Sequence, residues 1–427
     1  MKNLSRPVYI LGSARVPFAK SQTVYKNISR KQLMTAALQH LVAQNQLQNK
    51  KIDDVALGAI MTSAADWNMA RECVLSTELH PETPAYNVQR ACGTGLENLW
   101  QLGLKISAGH IDTGIAGGVD TNSDVAIEVS DGLKNILLQL NSARSMGERL
   151  KIISGFRLAH LSPKVPAVVE PRTKLSMGQH TELMVKEWKI SREEQDELAL
   201  LSHLNGARAY DEGFFTDLVY PMGEINRDQT LRGDTTIEKL SKLKPVFDPS
   251  PTGTLTAGNS SPLTDGAATV LVGSEQAADL LGKKPLAQLI DVQVAAVDFV
   301  KGAGLLMAPT LAVSKLLSRN RLSFSDFDYF EVHEAFAGQV LCNLKAWESD
   351  DYCKNVLGLD SAIGALDRKK LNITGSSLAL GHPFAATGAR IAGTLAKHLS
   401  KGGGRRGLIS ICTAGGMGIA AIMESVS

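Results

Sequence analysis

At 427 residues the chain is longer than one hydrophobic core usually organises, so two or more packed units are expected. A composition of 44% hydrophobic and 21% charged residues excludes a disordered or fibrous chain, and a formal charge of +2 excludes any general attraction to nucleic acid or membrane. No run approaches the roughly 20 apolar residues that span a bilayer. The start, Met1 to Pro7, is too short and polar for a secretory signal, so a soluble cytoplasmic protein is expected.

In chain order, residues 8–14 read as a strand. A helix is predicted over 30–44, with Leu33, Ala37, Leu38, Leu41 and Val42 on one face. Residues 52–60 read as a buried strand. Cys92-Gly93-Thr94-Gly95 opens a helix over 96–108, and 111–118 is a strand ending in glycines. Composition changes over 124–261, which is richer in charge and in proline (Pro163, Pro166, Pro171, Pro221, Pro245, Pro249, Pro251). We read it as an inserted loop domain outside either sheet. The last third repeats the first: a helix over 311–317, a strand over 329–333, a glycine-bearing loop 381–383 opening a helix over 385–399, then a strand over 407–412 before Gly415-Gly416. Strands alternating with helices predict an α/β fold with a largely buried sheet. The repeat is too long for a solenoid and predicts two related halves. Their reactive residues fall at strand ends and helix starts, where open α/β sheets place their sites.

The cysteines Cys73, Cys92, Cys342, Cys353 and Cys412 have no zinc-ligand spacing and, scattered and odd in number, suit a reducing compartment. Cys73, Cys342 and Cys353 read as small buried hydrophobes. Cys92 stands before a predicted helix, whose positive end favours a thiolate, and its neighbouring glycines would admit a substrate. His382 sits between Gly381 and Pro383, a good first-turn residue, and would project from a tight loop. There it can take a thiol proton or donate to an oxyanion. Cys412 closes a strand and precedes Thr413-Ala414-Gly415-Gly416-Met417-Gly418, a turn whose bare N–H groups can line an oxyanion hole.

Four blocks then resemble the thiolase family, in order and spacing: 90–95 around Cys92, His333-Glu334-Ala335-Phe336-Ala337, 381–390 around His382, and 412–418. A fifth, 256–268, resembles the return from the loop domain to the core. The resemblance implies a thiolase fold: two similar α/β halves in a five-layered αβαβα core with an inserted loop domain. It divides the chain into an N-terminal half at 1–123, completed by about 262–275, a loop domain at 124–261, and a C-terminal half at 276–427. It implies Cys92 as the acylated nucleophile, His382 as its base, and Cys412 as the group moving a proton at the α-carbon. The backbone N–H groups of Cys92 and Ala414 would hold the acyl oxygen, and Met177, Ser261 and Phe336 align with substrate or coenzyme A contacts. No tightly bound cofactor or metal is implied; coenzyme A is a co-substrate, and the assembly is a homodimer or dimer of dimers.

Many thiolases begin the block matching 333–337 with asparagine, which holds a water for the enolate oxygen. Here His333 stands in its place, resembling the thiolase subunits of fatty-acid β-oxidation complexes. That favours thiolysis of 3-ketoacyl-CoA over biosynthetic acetoacetyl-CoA formation. A β-ketoacyl synthase or a non-catalytic acyl-CoA or lipid carrier are more distant alternatives, opposed by Cys412 and by the filled reactive positions.

The stretch 131–174 carries a further signal. Leu133, Ile136, Leu137 and Leu140 recur at helical spacing, and Met146, Leu150 and Ile153 continue an apolar face. Lys134, Arg144, Arg149, Lys151, Arg157, Lys164, Arg172 and Lys174 outnumber Asp131, Glu148 and Glu170. Such a hairpin suits docking to an anionic membrane or to a hydratase–dehydrogenase subunit; alternatively its apolar face covers the acyl pocket.

Overall fold

The apolar run at the start of the chain becomes a strand buried along nearly its whole length, β1 (Val8–Arg15), in a computed structural model that describes residues 5–164, 166 and 169–426. Val165, Ala167 and Val168, within the basic stretch 131–174, lie outside the described residues. After β1 come β2 (Ala19–Lys20), α1 (Arg30–Gln44), β3 (Asp54–Leu57), α2 (Met69–Leu75), β4 (Ala85–Asn87), α3 (Thr94–Ser107) and β5 (Thr113–Asp120). The next region is helical: α4 (Asp131–Ser142), α5 (Met146–Ser154), α6 (Met177–Glu187), α7 (Arg192–Asp211) and α8 (Ile237–Ser241). Then β6 (Thr264–Gly273) and α9 (Glu275–Leu281) precede β7 (Ala287–Ala296), α10 (Ala308–Asn320), β8 (Tyr329–Val332), α11 (Ala337–Glu348), α12 (Asp350–Asn355), α13 (Ser377–Leu380), α14 (Ala386–Ser400), β9 (Arg406–Thr413) and β10 (Met417–Glu424).

The strand order β4-β3-β5-β6-β1-β7-β10-β9-β8 contains the repeat seen in the sequence. The series β3-β5-β6-β1 and β8-β9-β10-β7 correspond: the first pair is parallel and the next two are antiparallel in both. Even the β3–β4 pairing has an echo, a single parallel bridge between Phe330 and Leu371. The halves are not simply packed together. They join in one sheet where Val8, Tyr9 and Ile10 of β1 pair with Leu289, Gln288 and Ala287 of β7.

Three apolar cores give five layers. One side of the N-terminal half packs on α1 and α2 through residues such as Leu38, Leu41, Val74 and Ile115. One side of the C-terminal half packs on α10 and α11 through Val313, Leu316, Val340 and Leu341. Between the two lie α3 and α14, whose Leu99, Leu102, Ile391 and Leu395 share a core with Val270 of one half and Ile409 of the other. These two helices meet almost backbone to backbone. A Cβ on Gly95 would lie 2.5 Å from the Ala389 nitrogen, and one on Gly388 2.3 Å from that of Leu96. Gly93 is equally hemmed in, by Ile419 at 2.8 Å. The glycines beside Cys92 therefore make room for the other half of the protein, which corrects the expectation that they admit substrate.

The region between the halves has two characters. Helices α6 and α7 lie on α11 and α13, and the buried Asp228 clamps Arg15 of β1 with two contacts of 2.6 Å. By contrast, no residue of α4 or α5 is buried. Their apolar residues divide instead of forming one face. Leu133, Ile136 and Leu140 are half-buried, whereas Leu137, Met146, Leu150 and Ile153 are exposed.

Candidate active site

Four loops converge at one end of α3 and α14. Cys92 lies just before α3, which begins at Thr94 with Gly93 as its cap, and it follows Ala91, held at φ +44°. The non-glycine left-handed conformation turns the chain sharply before the thiol, and bonds from Thr94 Oγ1 to the Ala91 carbonyl (2.7 Å) and from Gly93 N to the Arg90 carbonyl (3.0 Å) hold the turn.

Cys92 is only partly covered, unlike the fully buried His333 and His382, and its thiol lies close to the backbone amides of Ala414 and of Cys92 itself. Burial nonetheless outweighs these donors and pushes the thiol up to about 12. This upward direction opposes the downward pull on the Cys92 thiol expected from the helix dipole. The dipole's contribution is confined to the first turn, and desolvation is larger.

His382 follows Gly381, at φ +97°, where α13 ends. Its backbone N–H donates to Thr264 Oγ1 (2.8 Å), and its Nδ1 lies 2.6 Å from Thr387 Oγ1. Pro383 is not in the first turn of α14, as its sequence position suggested, because that helix begins only at Ala386. His333 leaves the end of β8 and is fully buried, its ring centroid 4.1 Å from that of His382. Asn372 fixes this strand end by accepting from Val332 N (2.8 Å) and donating to Val332 O (2.9 Å). Burial holds both imidazoles neutral, His382 down to about 3 and His333 well below the ordinary range, with Arg390 nearby adding to both shifts and His382 to that of His333.

One ligating atom from each of Cys92, His333 and His382 falls within 4.8 Å of the others. Cys412 is buried near the end of β9, and burial together with Cys92 beside it lifts its thiol well above the ordinary value. The structure therefore brings Cys92, His333, His382, Cys412 and the Ala414 amide together.

The remaining predicted residues sit beside this cluster in a second group. Ser261 N donates to the Ala335 carbonyl (3.0 Å), Ser260 bridges Phe336, and Phe336 meets Phe247 edge-on at 5.7 Å. Met177, at the start of α6, packs with Phe247 against the same core.

Sequence reasoning missed three acids that set these loops. Asp120, at the end of β5, accepts from Met61 N (2.9 Å), Ile60 N (3.0 Å) and Ala385 N (2.9 Å), tying the loop before α14 to the N-terminal half. An acid closing an otherwise apolar strand was its signal. Glu334 accepts from Ser202 Oγ (2.7 Å) and Asn372 Nδ2 (2.6 Å) and stood next to His333 in the block at 333–337. Glu170 accepts from Gly415 N (2.7 Å), joining the middle region to the turn after Cys412; nothing in its local sequence marked it.

Comparison with known proteins agrees with this geometry. The family model described as "Thiolase, N-terminal domain" matches residues 8–276, and "Thiolase, C-terminal domain" matches 283–425. A 3-ketoacyl-CoA thiolase from Photorhabdus laumondii is 39% identical, covering 98% of this chain and 96% of its own; one from Yersinia pestis is 40% identical with the same coverage. The crystal structure of human mitochondrial 3-ketoacyl-CoA thiolase in complex with CoA superimposes with a TM-score of 0.82 at 29% identity, over 99% of each chain.

Proposed function

The chain belongs to the thiolase family, and from that premise we propose that it cleaves 3-ketoacyl-CoA with coenzyme A, giving acetyl-CoA and a shortened acyl-CoA. The observation that carries this reading is the meeting of the Cys92 thiol with two buried, neutral imidazoles, His333 and His382.

Cys92 Sγ attacks the 3-keto carbon while His382 takes the thiol proton. Because both groups rest neutral, the proton moves as the C–S bond forms. The bond between the α- and β-carbons then breaks, and its electron pair becomes the enolate of acetyl-CoA. His333 and the newly protonated His382 stabilise the enolate oxygen, and Cys412 gives its proton to the α-carbon. The acyl group remains on Cys92 with its oxygen toward the Cys92 and Ala414 amides. Coenzyme A, losing its thiol proton to the Cys412 thiolate, attacks this thioester; the shortened acyl-CoA leaves as the bond to Cys92 Sγ breaks, and Cys92 takes back the proton held on His382. Dividing the reaction at a covalent intermediate replaces one difficult step by two easier ones. The group Met177, Phe247, Ser261 and Phe336 lines the approach for coenzyme A on this reading. The test is the enolate absorbance of acetoacetyl-CoA. It should fall on adding both enzyme and coenzyme A, and persist with either alone. Rates across a series of 3-ketoacyl chain lengths separate β-oxidation from the biosynthetic alternative, which would favour the four-carbon substrate alone.

The chain divisions 1–123 with 262–275, 124–261 and 276–427 belong to this reading, supported by the matching strand series on either side of β1 and β7. So does a homodimer or dimer of dimers. β4 ends the sheet and leaves an edge for a second copy, with Trp67 nearby and 87% exposed. No helix among the described residues is long and apolar enough to cross a membrane. The five unpaired cysteines suit the cytoplasm. The outward apolar residues and unpaired basic residues of α4–α5 favour docking at an anionic membrane surface or on a hydratase–dehydrogenase subunit.

A further inference from the structure

We infer that Ser377 and Arg390 fix the tautomer of His333, making it a direct hydrogen-bond donor to the substrate, with its Nε2–H aimed into the pocket. The inference rests on the thiolase reading for what is donated to, but its geometry stands apart from that reading.

His333 Nδ1 lies 2.8 Å from Ser377 Oγ, and Arg390 Nη2 donates to the same oxygen at 2.7 Å. A guanidinium has hydrogens to give and no lone pair to receive one. Ser377 Oγ is therefore an acceptor toward Arg390, and its single hydrogen must go elsewhere. Among the described residues the only other polar atom bonded to it is His333 Nδ1. If Nδ1 carried the proton, the buried serine hydroxyl would face two donors and have no acceptor for its own hydrogen. That would strand a hydrogen at a cost buried groups rarely bear. Ser377 thus donates to Nδ1, and the neutral ring carries its one proton on Nε2.

Independent observations agree with this assignment. His333 Nε2 is buried and has no hydrogen-bond partner in the protein, while the ring's other nitrogen is fully engaged. A buried donor without a partner, beside His382 and Cys92, is what an oxyanion site needs before its ligand arrives. Arg390 is itself held in place. Its Nη1 donates to Ser376 Oγ (3.2 Å), which donates in turn to Val332 O (3.3 Å), so the guanidinium is registered to the strand that delivers His333. Arg390 is fully buried on α14, the helix that also carries Thr387 against His382. One helix therefore sets both imidazoles. Ser377 and Arg390 are positioning residues; neither is placed against the substrate.

The direct readout is nitrogen NMR of the full-length enzyme with 15N-labelled histidine, the His333 signals being assigned by their loss in His333→Asn. We expect a protonated Nε2 and an unprotonated Nδ1 in the parent protein; a protonated Nδ1 overturns the inference, whatever the enzyme's activity proves to be. Ser377→Ala supplies the functional arm. Removing one hydrogen bond should let the two tautomers mix, and deuterium exchange at the acetyl carbon of acetyl-CoA, which requires the enolate, should slow roughly tenfold. Exchange of labelled coenzyme A into acetyl-CoA, which requires only acylation of Cys92, should stay within about twofold. Equal loss in both reactions would make Ser377 a structural residue, and no loss in either would make it dispensable; each result overturns the proposal. Ser377→Thr, which keeps the hydroxyl, should restore both the tautomer and the deuterium exchange. Failure of the parent to exchange labelled coenzyme A would instead count against the thiolase reading and leave the NMR result standing.

Discussion

Two regions of this protein differ in how far the chain itself specifies them. At the pocket, nearly every polar group is held by another residue: Asp120 by three amides, Glu334 by Ser202 and Asn372, His333 by Ser377, His382 by Thr387. In α4 and α5 no residue is buried, and Leu158, just beyond them, is 81% exposed. The first region is a solution to an internal problem, the placing of reactive atoms in a dry site. The second carries an apolar pattern for which the folded chain provides little interior. Changes in the pocket should abolish chemistry without affecting docking, and changes in α4–α5 should do the reverse.

The largest effect is expected from Cys92→Ala, which should abolish both thiolysis and condensation because no other group can carry the acyl unit. Brief exposure of the parent to acetyl-CoA should leave an acetyl group on Cys92 by mass spectrometry; a label on Cys412 or Cys73 would reassign the nucleophile. Cys412→Ala should still acylate at Cys92 but turn over roughly 10²–10⁴-fold more slowly, as for loss of a general acid–base group. Near-normal turnover would remove Cys412 from the proton-transfer role and favour a synthase-like site.

His333 gives a graded test. Alanine leaves the enolate oxygen one donor short, a loss of about 2.7–4 kcal/mol for a comparable oxyanion donor. Asparagine retains a donor and should preserve appreciable activity. If both variants match the parent, the buried histidine is structural.

The neutral resting state has its own consequence for pH. A preformed thiolate–imidazolium pair would give limbs at the pKa values of both partners. With Cys92 pushed up to about 12 and His382 down to about 3, kcat/KM should instead pass without inflection through 6.5 and 9.0, the ordinary histidine and thiol values. Stability should respond where activity does not. An unfolded histidine gains its proton below 6.5, whereas folded His382 resists protonation until about 3 and His203 and His398 until about 4. Their contribution is complete above 6.5 and is lost as pH falls through the folded values. Between pH 7 and 4 the denaturant midpoint of His398→Gln should therefore fall less than that of the parent, since the variant lacks one of these histidines.

How much of this was legible in the sequence follows the same division. The strands and helices of the core were readable because burial imposes a period: α1 runs over 30–44 as predicted, and β9 and α14 differ from their predicted limits by a residue at either end. Strand β3 is shorter than its apolar run, since only residues 54–57 find a pairing partner. Cys92, His333, His382 and Cys412 were legible through motifs. The relay of Ser377 and Arg390 was not, because it joins α13 to α14 around a loop, and tautomers depend on hydrogen-bond geometry. The upward pull on the Cys92 thiol was not legible for a related reason. Helix position is written in the sequence, but the depth of burial that overrides it is not. Within 131–174 the helical period was visible, yet period alone could not say which residues would find an interior.

The last and smallest effect on activity is expected from that region. Lys134 and Lys164 both pair with Asp131, so much of their charge is already answered within the chain. Arg144, Arg149, Lys151 and Arg157 are exposed and have no acidic partner among the described residues. Replacing these four with glutamate should leave thiolysis of a short 3-ketoacyl-CoA nearly unchanged, because none of them lies at the pocket. Binding to vesicles containing anionic lipid, or to a hydratase–dehydrogenase subunit, should weaken, and the difference should shrink as salt shortens the range of the charges. Leu150→Ser with Ile153→Ser probes the apolar contribution; its effect should persist at high salt, since it removes buried area and no charge. If neither set of changes alters either kind of binding, docking is excluded for α4–α5. If short-chain activity is kept but longer acyl chains are processed more slowly, the helices serve as a cover for the acyl pocket.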